Sequence, residues 1–232
     1  MTIAERRFDD SRTLVHTLAE ELALELRTGI DAHGSASLVL SGGRTPIPLF
    51  QALSQSQVPW EKVWITLADE RWVPGDHPDS NERLVREHLL QGPAAAAHFV
   101  GLYNGADSPW AGAQQVREAL ESVHRPFDTV VLGMGDDGHT ASLFPRAPQL
   151  AEGLDPDNDN VCLGVDPVTA PHPRISLTLA ELLRARRIVL HLSGEGKWQV
   201  LQQALGEGPV GEMPVRAVLR QEEVPVYVYW SP

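Results

Sequence analysis

The chain contains 232 residues, of which 42% are hydrophobic, and its 19 basic and 31 acidic side chains give a formal net charge of −12 at pH 7. This apolar content excludes wholesale disorder, a collagen-like chain and a coiled coil, and the acidity argues against a nucleic-acid partner or an anionic membrane surface. The single cysteine, Cys162, excludes an internal disulfide and a cysteine-based metal cage, so a reducing compartment is expected.

The first predicted element is a helix, because leucines recur at every fourth position and mark one apolar face. Asp10 or Ser11 is expected to cap its N-terminus, and Gly29 is expected to end it. The leucines of this face are Leu14, Leu18, Leu22 and Leu26.

Strand-like and helix-like segments alternate along the rest of the chain. The sequence predicts two further helix starts. At the first, Thr45 is the N-cap and Pro46 occupies the first helical position; at the second, Asp79 or Ser80 is the N-cap and Glu82 follows closely. The predicted strands cover residues 37–40, 63–67, 129–132, 161–165, 187–192 and 226–229, and further helices are predicted at residues 110–123 and from Lys197 to about residue 205.

This alternation predicts α/β architecture with a mainly parallel sheet covered on both faces. A loop rich in proline and aspartate over residues 145–159 is a candidate domain boundary. The pattern continues across it, so a single domain over residues 1–232 is favoured over two α/β lobes. The N-terminus has no signal-peptide pattern and no apolar run is long enough to cross a bilayer, so we expect a soluble, cytoplasmic protein.

Polar or glycine-rich segments directly follow four of the predicted strands. In an open parallel sheet, ligands bind beyond the carboxyl ends of the strands, so these segments are expected to meet at one edge. Any one of them is compatible with ordinary turn chemistry, whereas four together favour a binding site. The segments cover residues 41–45, 69–71, 133–139 and 193–197.

The first of these segments is a double-glycine loop in front of a predicted helix. Gly42 and Gly43 allow the backbone to approach a ligand, and the free N–H groups of the first helical turn attract anions. The Gly-Lys-Ser/Thr of a nucleotide-triphosphate loop is missing. Taken alone, the loop is equally compatible with a tight strand-to-helix turn.

The segment at residues 133–138 matches the dinucleotide fingerprint Gly-x-Gly-x-x-Gly. Asp136 and Asp137 stand where a pyrophosphate would lie, and Pro145 limits the helix that follows to a turn or two. We interpret the segment instead as a turn that presents Asp137 and His139 to a cleft. Histidine is a frequent general base, and Asp137 is placed to orient it. The alternative role of Asp137 is to cap the short helix.

Lysine is rare in this chain and occurs only as Lys62 and Lys197. Lys197 starts a helix at the predicted site edge, where a phosphate is the natural partner for its charge. The alternative for Lys197 is a solvated surface position. Arg71 and Arg174 are further candidates, for which the alternative is a surface ion pair. The histidines show no His-Glu-x-x-His spacing and no Gly-x-Ser-x-Gly elbow is present, so neither a metal site nor a serine-hydrolase triad finds support.

Two longer motifs carry a family resemblance: Asp-Glu-Arg-Trp-Val-Pro at residues 69–74, running to Ser-Asn at 80–81, and Gly-Met-Gly-Asp-Asp-Gly-His-Thr-Ala-Ser-Leu-Phe-Pro at 133–145. Shorter matches lie at residues 41–46, 173–176 and 196–197. In these motifs the chain resembles the 6-phosphogluconolactonases of the glucosamine/galactosamine-6-phosphate isomerase superfamily along nearly its whole length. The related deaminases share the Gly-Gly loop and the Asp-Gly-His turn but continue with Phe-Asn-Glu-Pro, so their ring-opening glutamate is missing here.

The resemblance implies a three-layer α/β/α sandwich with a mainly parallel, Rossmann-like sheet and no metal or organic cofactor. It also implies hydrolysis of 6-phospho-D-glucono-1,5-lactone to 6-phospho-D-gluconate. On this basis His139 is expected to take a proton from water, Asp137 to orient His139, and Arg71 or a backbone N–H to stabilise the oxyanion. The expected substrate-binding residues are Ser41, Gly42, Gly43, Thr45, Arg174 and Lys197 at the phosphate and Asp69 at the sugar hydroxyls.

Two rival functions stay open on the sequence alone. One is another sugar-phosphate enzyme, a deaminase or isomerase, on the same scaffold. The other is a non-catalytic sugar-phosphate or nucleotide-binding protein, which a ligand would stabilise without product formation. The expected partner is a small-molecule sugar phosphate lactone, with no nucleic acid and no membrane, and the chain is expected to be a monomer or a weak homodimer.

Overall fold

The structure, a computed structural model, describes residues 3–232 of the chain. Its strands are β1 (Ala4–Arg7), β2 (Ala36–Leu40), β3 (Val63–Leu67), β4 (Asp69–Arg71), β5 (His98–Val100), β6 (Thr129–Leu132), β7 (Cys162–Val165), β8 (Arg174–Leu177), β9 (Ile188–Ser193) and β10 (Val226–Ser231). Its helices are α1 (Ser11–His33), α2 (Ile47–Ser54), α3 (Asn81–His88), α4 (Pro109–Leu120), α5 (Leu150–Leu154), α6 (Leu179–Leu182), α7 (Glu195–Leu205) and α8 (Val215–Arg220).

Seven parallel strands form the central sheet, in the order β1-β10-β9-β6-β2-β3-β5. Every residue of β2 and β6 is buried, which is typical of parallel strands covered by helices on both faces. A second, antiparallel sheet has the order β4-β8-β7. The predicted three-layer α/β/α fold with a mainly parallel, Rossmann-like sheet is confirmed.

The strand order reverses at the boundary between β2 and β6. The chain runs from β2 through α2 to β3 on one side of β2, whereas β6 and then β9 lie on its other side. Loops that leave two such strands diverge, and they open a crevice beyond the carboxyl ends of the strands. The segments at residues 41–45 and 133–139 leave β2 and β6 at this crevice.

Helix α1 begins as predicted. The Asp10 carboxylate accepts a hydrogen bond from the Thr13 N–H at 2.8 Å, which satisfies one of the free donors of the first turn. The predicted apolar face is buried against the core, with each leucine at most 1% exposed: Leu14, Leu18, Leu22 and Leu26.

The predicted end of α1 at Gly29 is wrong. The helix continues to His33 and ends at Gly34, whose positive φ of 82° favours glycine. Gly29 instead allows a close approach of the helix to the buried Asp128, because a Cβ at this position would lie 2.5 Å from a carboxylate oxygen. The Asp128 carboxylate accepts a hydrogen bond from the N–H of Ser37 at the start of β2.

The two predicted helix starts have different outcomes. Helix α2 begins at Ile47 with Pro46 in the N-cap position and without a side-chain cap, so the predicted capping role of Thr45 is wrong. At α3 the Ser80 hydroxyl accepts a hydrogen bond from the Arg83 N–H at 3.2 Å, which confirms Ser80 as the N-cap.

Ala68 connects β3 of the central sheet to β4 of the second sheet. Its N–H donates to the Leu40 carbonyl, and its own carbonyl accepts from the Leu177 N–H, both at 2.8 Å. Residues 69–71, which we expected to be a polar end of β3, therefore form the separate strand β4 and pair with β8. The second sheet thus positions Asp69 and Arg71 beside the crevice.

One hydrophobic cluster connects buried side chains from Leu14 to Tyr229 and includes Cys162. Burial raises the pKa of the Cys162 thiol to about 12, which suits a packing role. No helix in the described part of the chain has the length and apolar character needed to cross a membrane.

Candidate functional site

A cavity of about 300 Å³ opens in the crevice between β2 and β6. All four polar segments singled out in the sequence contribute to its walls, as their positions after parallel strands predict. Asp137 is the one predicted site residue that does not line it. The predicted residues that line the cavity are Ser41, Gly42, Gly43, Thr45, Asp69, Arg71, His139, Arg174 and Lys197.

His139 and Asp137 form a directly bonded pair at the turn after β6. The distance between His139 Nδ1 and Asp137 Oδ1 is 2.6 Å. An ionised carboxylate accepts hydrogen bonds and donates none, so this contact assigns the ring proton to Nδ1. The lone pair of the neutral ring is then on Nε2, the nitrogen that can take a proton from a reactant.

Hydrogen bonding keeps the Asp137 carboxylate ionised. Partial burial raises its pKa, but the hydrogen bonds from the ring and the backbone N–H of His139 outweigh this effect, and the pKa lies below its ordinary value. Asp137 therefore remains an anion at neutral pH. The alternative that Asp137 caps a short helix is excluded, because residues 140–149 form turns instead of a helix.

Glycines shape the turn that carries this pair. A Cβ on Gly135 would lie 2.1 Å from His139 Nδ1 and 2.6 Å from Asp137 Oδ1, so only glycine leaves room for the bonded pair. Gly138 has a positive φ of 77°, a backbone conformation that favours glycine. The imidazole also packs on the ring of Phe144, with centroids 4.2 Å apart.

Several buried polar atoms around the cavity have no hydrogen-bond partner within residues 3–232. Such atoms are rare in folded proteins, and in a cavity wall they indicate groups that bind a ligand. Two belong to guanidinium groups, which favour a multiply charged anion with oxygen acceptors. Burial lowers the pKa of Arg174, and nearby Asp69 opposes this effect. The unpaired atoms are Ser41 Oγ, Arg71 Nε, Arg174 Nε and His191 Nδ1.

Lys197 lies in the first turn of α7, and its ammonium contacts Asp136 Oδ1 at 2.5 Å. Asp136 is 90% exposed, so the pair sits at the solvent-facing rim of the cavity. An ammonium group has three donors, and the contact with Asp136 uses one of them. Two donors and the positive end of the helix dipole remain for an anion.

Asp69 is held in place from two sides. Its Oδ2 accepts a hydrogen bond from the Ser142 hydroxyl at 2.5 Å, and its backbone carbonyl accepts one from the Asn81 side chain at 2.9 Å. Asn81 also packs directly on the double-glycine loop, because a Cβ on Gly42 would lie 1.8 Å from Asn81 Oδ1. The three wall segments that carry Asp69, Asn81 and Gly42 are therefore fixed relative to one another.

Glu70 holds this part of the cavity wall in place through hydrogen bonds. Its buried carboxylate accepts hydrogen bonds from the N–H groups of Arg71, Asn81 and Glu82, each at 2.8 Å, and from the Ser80 hydroxyl at 3.0 Å. One carboxylate thus holds both the start of α3 and the backbone of Arg71. Burial raises the pKa of Glu70 to about 7, although the three N–H donors oppose this shift.

We expect this carboxyl group to make stability depend on pH. The folded-state pKa of about 7 lies above the ordinary value of 4.5, so the folded protein binds the proton more tightly than the unfolded chain. Its contribution is complete below about pH 4.5 and is lost as the pH rises through 7, on the order of 3 kcal/mol in total. Urea unfolding of the wild type and of Glu70→Gln at several pH values measures it. A difference between the two proteins that stays constant from pH 5 to 8 would contradict this assignment.

Comparisons with known proteins identify the family of this chain. Residues 9–229 match the sequence profile of the family described as glucosamine-6-phosphate isomerases/6-phosphogluconolactonase. The chain belongs to this family. A 6-phosphogluconolactonase from Pseudomonas putida is 47% identical over 223 residues, which cover 96% of this chain and 90% of that protein.

Solved structures extend the likeness to three dimensions. A 6-phosphogluconolactonase from Shewanella baltica shares 49% identity, with a TM-score of 0.97 over 100% of this chain and 98% of that chain. A monomeric glucosamine-6-phosphate deaminase has a TM-score of 0.76 at 17% identity, covering 97% of each chain, and therefore shares the fold. The likeness to this deaminase thus concerns the fold alone.

Among the cavity-wall side chains that were not predicted as site residues are Asn81, Phe144 and His191. Asn81 and Phe144 belong to the two longer motifs that carry the family resemblance, but neither motif indicates a role for these side chains. His191 lies within β9, where its apolar neighbours indicate nothing but a buried strand. Burial lowers the pKa of His191 to about 4, so this ring is neutral at the cavity wall. The signal available in the sequence was its place one residue before the end of the strand predicted over residues 187–192.

Proposed function

We propose that this chain hydrolyses 6-phospho-D-glucono-1,5-lactone to 6-phospho-D-gluconate, the lactonase step of the oxidative pentose phosphate pathway. The lactonase relatives and the cation-lined cavity support this substrate. The observation that carries the proposal is the 2.6 Å contact between His139 and Asp137 at a cavity with unpaired guanidinium nitrogens. We also propose that residues 1–232 act as a single lactonase domain.

The proposed reaction begins with a water molecule that attacks the lactone carbonyl. His139 Nε2 takes one proton from this water as the new carbon–oxygen bond forms, and Asp137 stabilises the resulting imidazolium. The tetrahedral intermediate then breaks the bond between the carbonyl carbon and the ring oxygen. The imidazolium returns its proton to that oxygen, which leaves a carboxylic acid and a free hydroxyl. A lactone carbonyl is already electrophilic, so this route uses neither a covalent nucleophile nor a metal.

The remaining wall residues have proposed roles in charge stabilisation and positioning. Arg71, or a backbone N–H of a glycine-rich turn, stabilises the developing oxyanion. Arg174, Lys197 and the loop from Ser41 to Thr45 hold the phosphate, and Asp69 binds sugar hydroxyls. Binding at the distant phosphate positions the ring against His139, so that binding energy is used for orientation.

A pH-stat assay of the purified protein with the lactone tests the proposal directly, since each turnover releases a proton. We expect hydrolysis well above the rate in buffer alone and no ammonia release from glucosamine-6-phosphate. Thermal stabilisation by 6-phosphogluconate without any turnover of the lactone would favour the binding-protein alternative. Turnover of glucosamine-6-phosphate alone would favour a deaminase.

Replacing Lys197 with alanine is expected to raise KM for the lactone about 10-fold to 100-fold, because one charge-assisted contact to the phosphate is lost. The expected change in kcat is smaller, since this contact is made in both the ground state and the transition state. Steady-state kinetics measure the split. Lys62→Ala is the matched control, because Lys62 is the only other lysine and lies outside the cavity lining. An unchanged KM in Lys197→Ala would remove this residue from the phosphate site.

A further inference from the structure

Two histidines and an aspartate meet outside the cavity, on the segments that follow β4 and precede β8. The distance from His172 Nε2 to Asp79 Oδ2 is 2.9 Å, and that from His77 Nδ1 to the same oxygen is 3.9 Å. One ligand atom from each residue lies within 4.8 Å of the other two. Within residues 3–232 this is the one group of three or more such side chains arranged in this way.

The chemistry of these three side chains suits a borderline transition-metal ion. Imidazole nitrogen and carboxylate oxygen are ligands of Zn²⁺, with bonds of about 2.0–2.2 Å, so ligand atoms around a tetrahedral ion lie roughly 3.3–3.5 Å apart. The observed separations of 2.9 Å and 3.9 Å lie on both sides of this value. His77 Nδ1 accepts a hydrogen bond from the Asp79 N–H at 3.1 Å, and coordination through this nitrogen would replace that bond. Catalytic and other open zinc sites also use three protein ligands and leave further positions for water.

The three side chains are accessible to an ion from solvent. The exposed fractions of the His77, Asp79 and His172 side chains are 38%, 52% and 30%. The two imidazole rings meet edge to face with centroids 5.5 Å apart, so both rings border the same carboxylate. His172 has a left-handed backbone with φ of 66°, an unusual conformation for a residue other than glycine. This conformation accompanies the placement of its ring against Asp79.

We propose that His77, Asp79 and His172 form a binding site for a divalent transition-metal ion of the Zn²⁺ class, completed by water. No ligand spacing is visible in the sequence because the third ligand, His172, lies 93 positions from Asp79. An ion bound here connects the segment that follows β4 to the segment that precedes β8, and these segments adjoin the two arginines of the cavity wall. Arg71 Nη1 donates to the Asp79 carbonyl at 2.5 Å, and Arg174 Nη2 donates to the Pro171 carbonyl at 3.1 Å.

The proposed ion therefore stabilises the cavity wall from outside and takes no part in the proposed hydrolysis. The two segments already share one backbone contact, the hydrogen bond from the Trp72 N–H to the Pro173 carbonyl at 2.8 Å. A metal bridge between them adds a second connection close to the solvent. Metal binding to the folded state alone then raises the melting temperature.

Isothermal titration of ZnCl₂ into chelator-treated, dialysed protein tests the site, with CoCl₂ absorption as a second probe. We expect saturable binding of one ion per chain, a visible Co²⁺ band, and a melting temperature that rises with ZnCl₂. In His172→Ala and in His77→Ala the affinity is expected to fall at least about 10-fold and the thermal shift to disappear. Because these readouts need no substrate, they stay informative even if the lactonase proposal fails.

His16→Ala is the matched control for binding by exposed histidines. His16 Nε2 lies 3.4 Å from Glu20 Oε1 on the surface of α1, a histidine–carboxylate pair without a third ligand. We expect this variant to bind ZnCl₂ as the wild type does. The proposal is overturned if the wild type shows no saturable binding of one equivalent, or if His172→Ala and His77→Ala bind as tightly as the wild type.

Discussion

His139→Gln is expected to lower kcat for lactone hydrolysis by about 10²–10⁴-fold, with the protein still folded. Glutamine fills a similar space but has no basic nitrogen, so the proton of the attacking water has no acceptor on this residue. Because the loss concerns the transition state, kcat and kcat/KM are expected to fall together, whereas KM stays within a few-fold of the wild type. Stopped-flow or pH-stat kinetics with circular dichroism as a folding check measure these quantities.

The matched control is His124→Gln. His124 also contacts a carboxylate, Asp128, at 3.4 Å, and its side chain is 29% exposed, the same fraction as that of His139. It lies outside the cavity lining, so we expect its kcat to stay within about twofold of the wild type. If His139→Gln retained near-normal turnover, the proton acceptor would have to be another group and the proposed mechanism would be wrong.

Glu70→Ala is expected to lower the free energy of unfolding by at least about 3 kcal/mol. The variant leaves four donors without their acceptor: the N–H groups of Arg71, Asn81 and Glu82 and the hydroxyl of Ser80. Each buried donor that loses its partner costs about 1–3 kcal/mol, and water entering the space left by the side chain compensates part of the sum. Urea unfolding at pH 6 measures the difference.

A surface glutamate provides the comparison for this variant. Glu87 forms an exposed ion pair with Arg83 on α3, and such pairs contribute about 0–1 kcal/mol, so Glu87→Ala is expected to change stability by less than that. Glu70→Ala is also expected to lower lactonase activity in the fraction that remains folded, because Asn81 and Arg71 lose their common anchor. Equal stabilities for the two variants would show that the buried carboxylate does not hold this wall.

The sequence predicted the elements that depend on local periodicity and capping. The leucine face of α1, the Ser80 cap and the four polar segments after strands follow from spacing within short windows, and all are present. The end of α1 could not be predicted, because the glycine at position 29 is explained by contact with Asp128, which is 99 positions away in the chain and adjacent only in the fold. Strand β4 was missed for the same kind of reason, since its partner β8 lies about a hundred residues further on.

In the candidate site, too, features that depend on neighbouring residues could be predicted from the sequence, whereas features that depend on the folded structure could not. Asp137 and His139 are two positions apart, so their pairing could be anticipated from the turn alone. Two other features of the site are not visible in a linear pattern. The anchoring of the wall by Glu70 requires a turn that brings donors up to 12 positions away onto one carboxylate. The neutral ring of His191 depends on its burial in the folded protein. The proximity of His172 to Asp79 likewise arises only when the two segments next to the second sheet come together.

The pairing of β1 with β10 has a consequence for synthesis on the ribosome. The first strand of the sheet lies beside the last, with Ala4 opposite Tyr227, and the Tyr229 hydroxyl bonds Glu21 across 208 positions of sequence. Contacts of such long range form late, after the loop-closure entropy has been overcome. The N-terminal strand therefore has no partner until β10, more than 200 positions further along the sequence, has been translated, and this edge of the sheet forms only then.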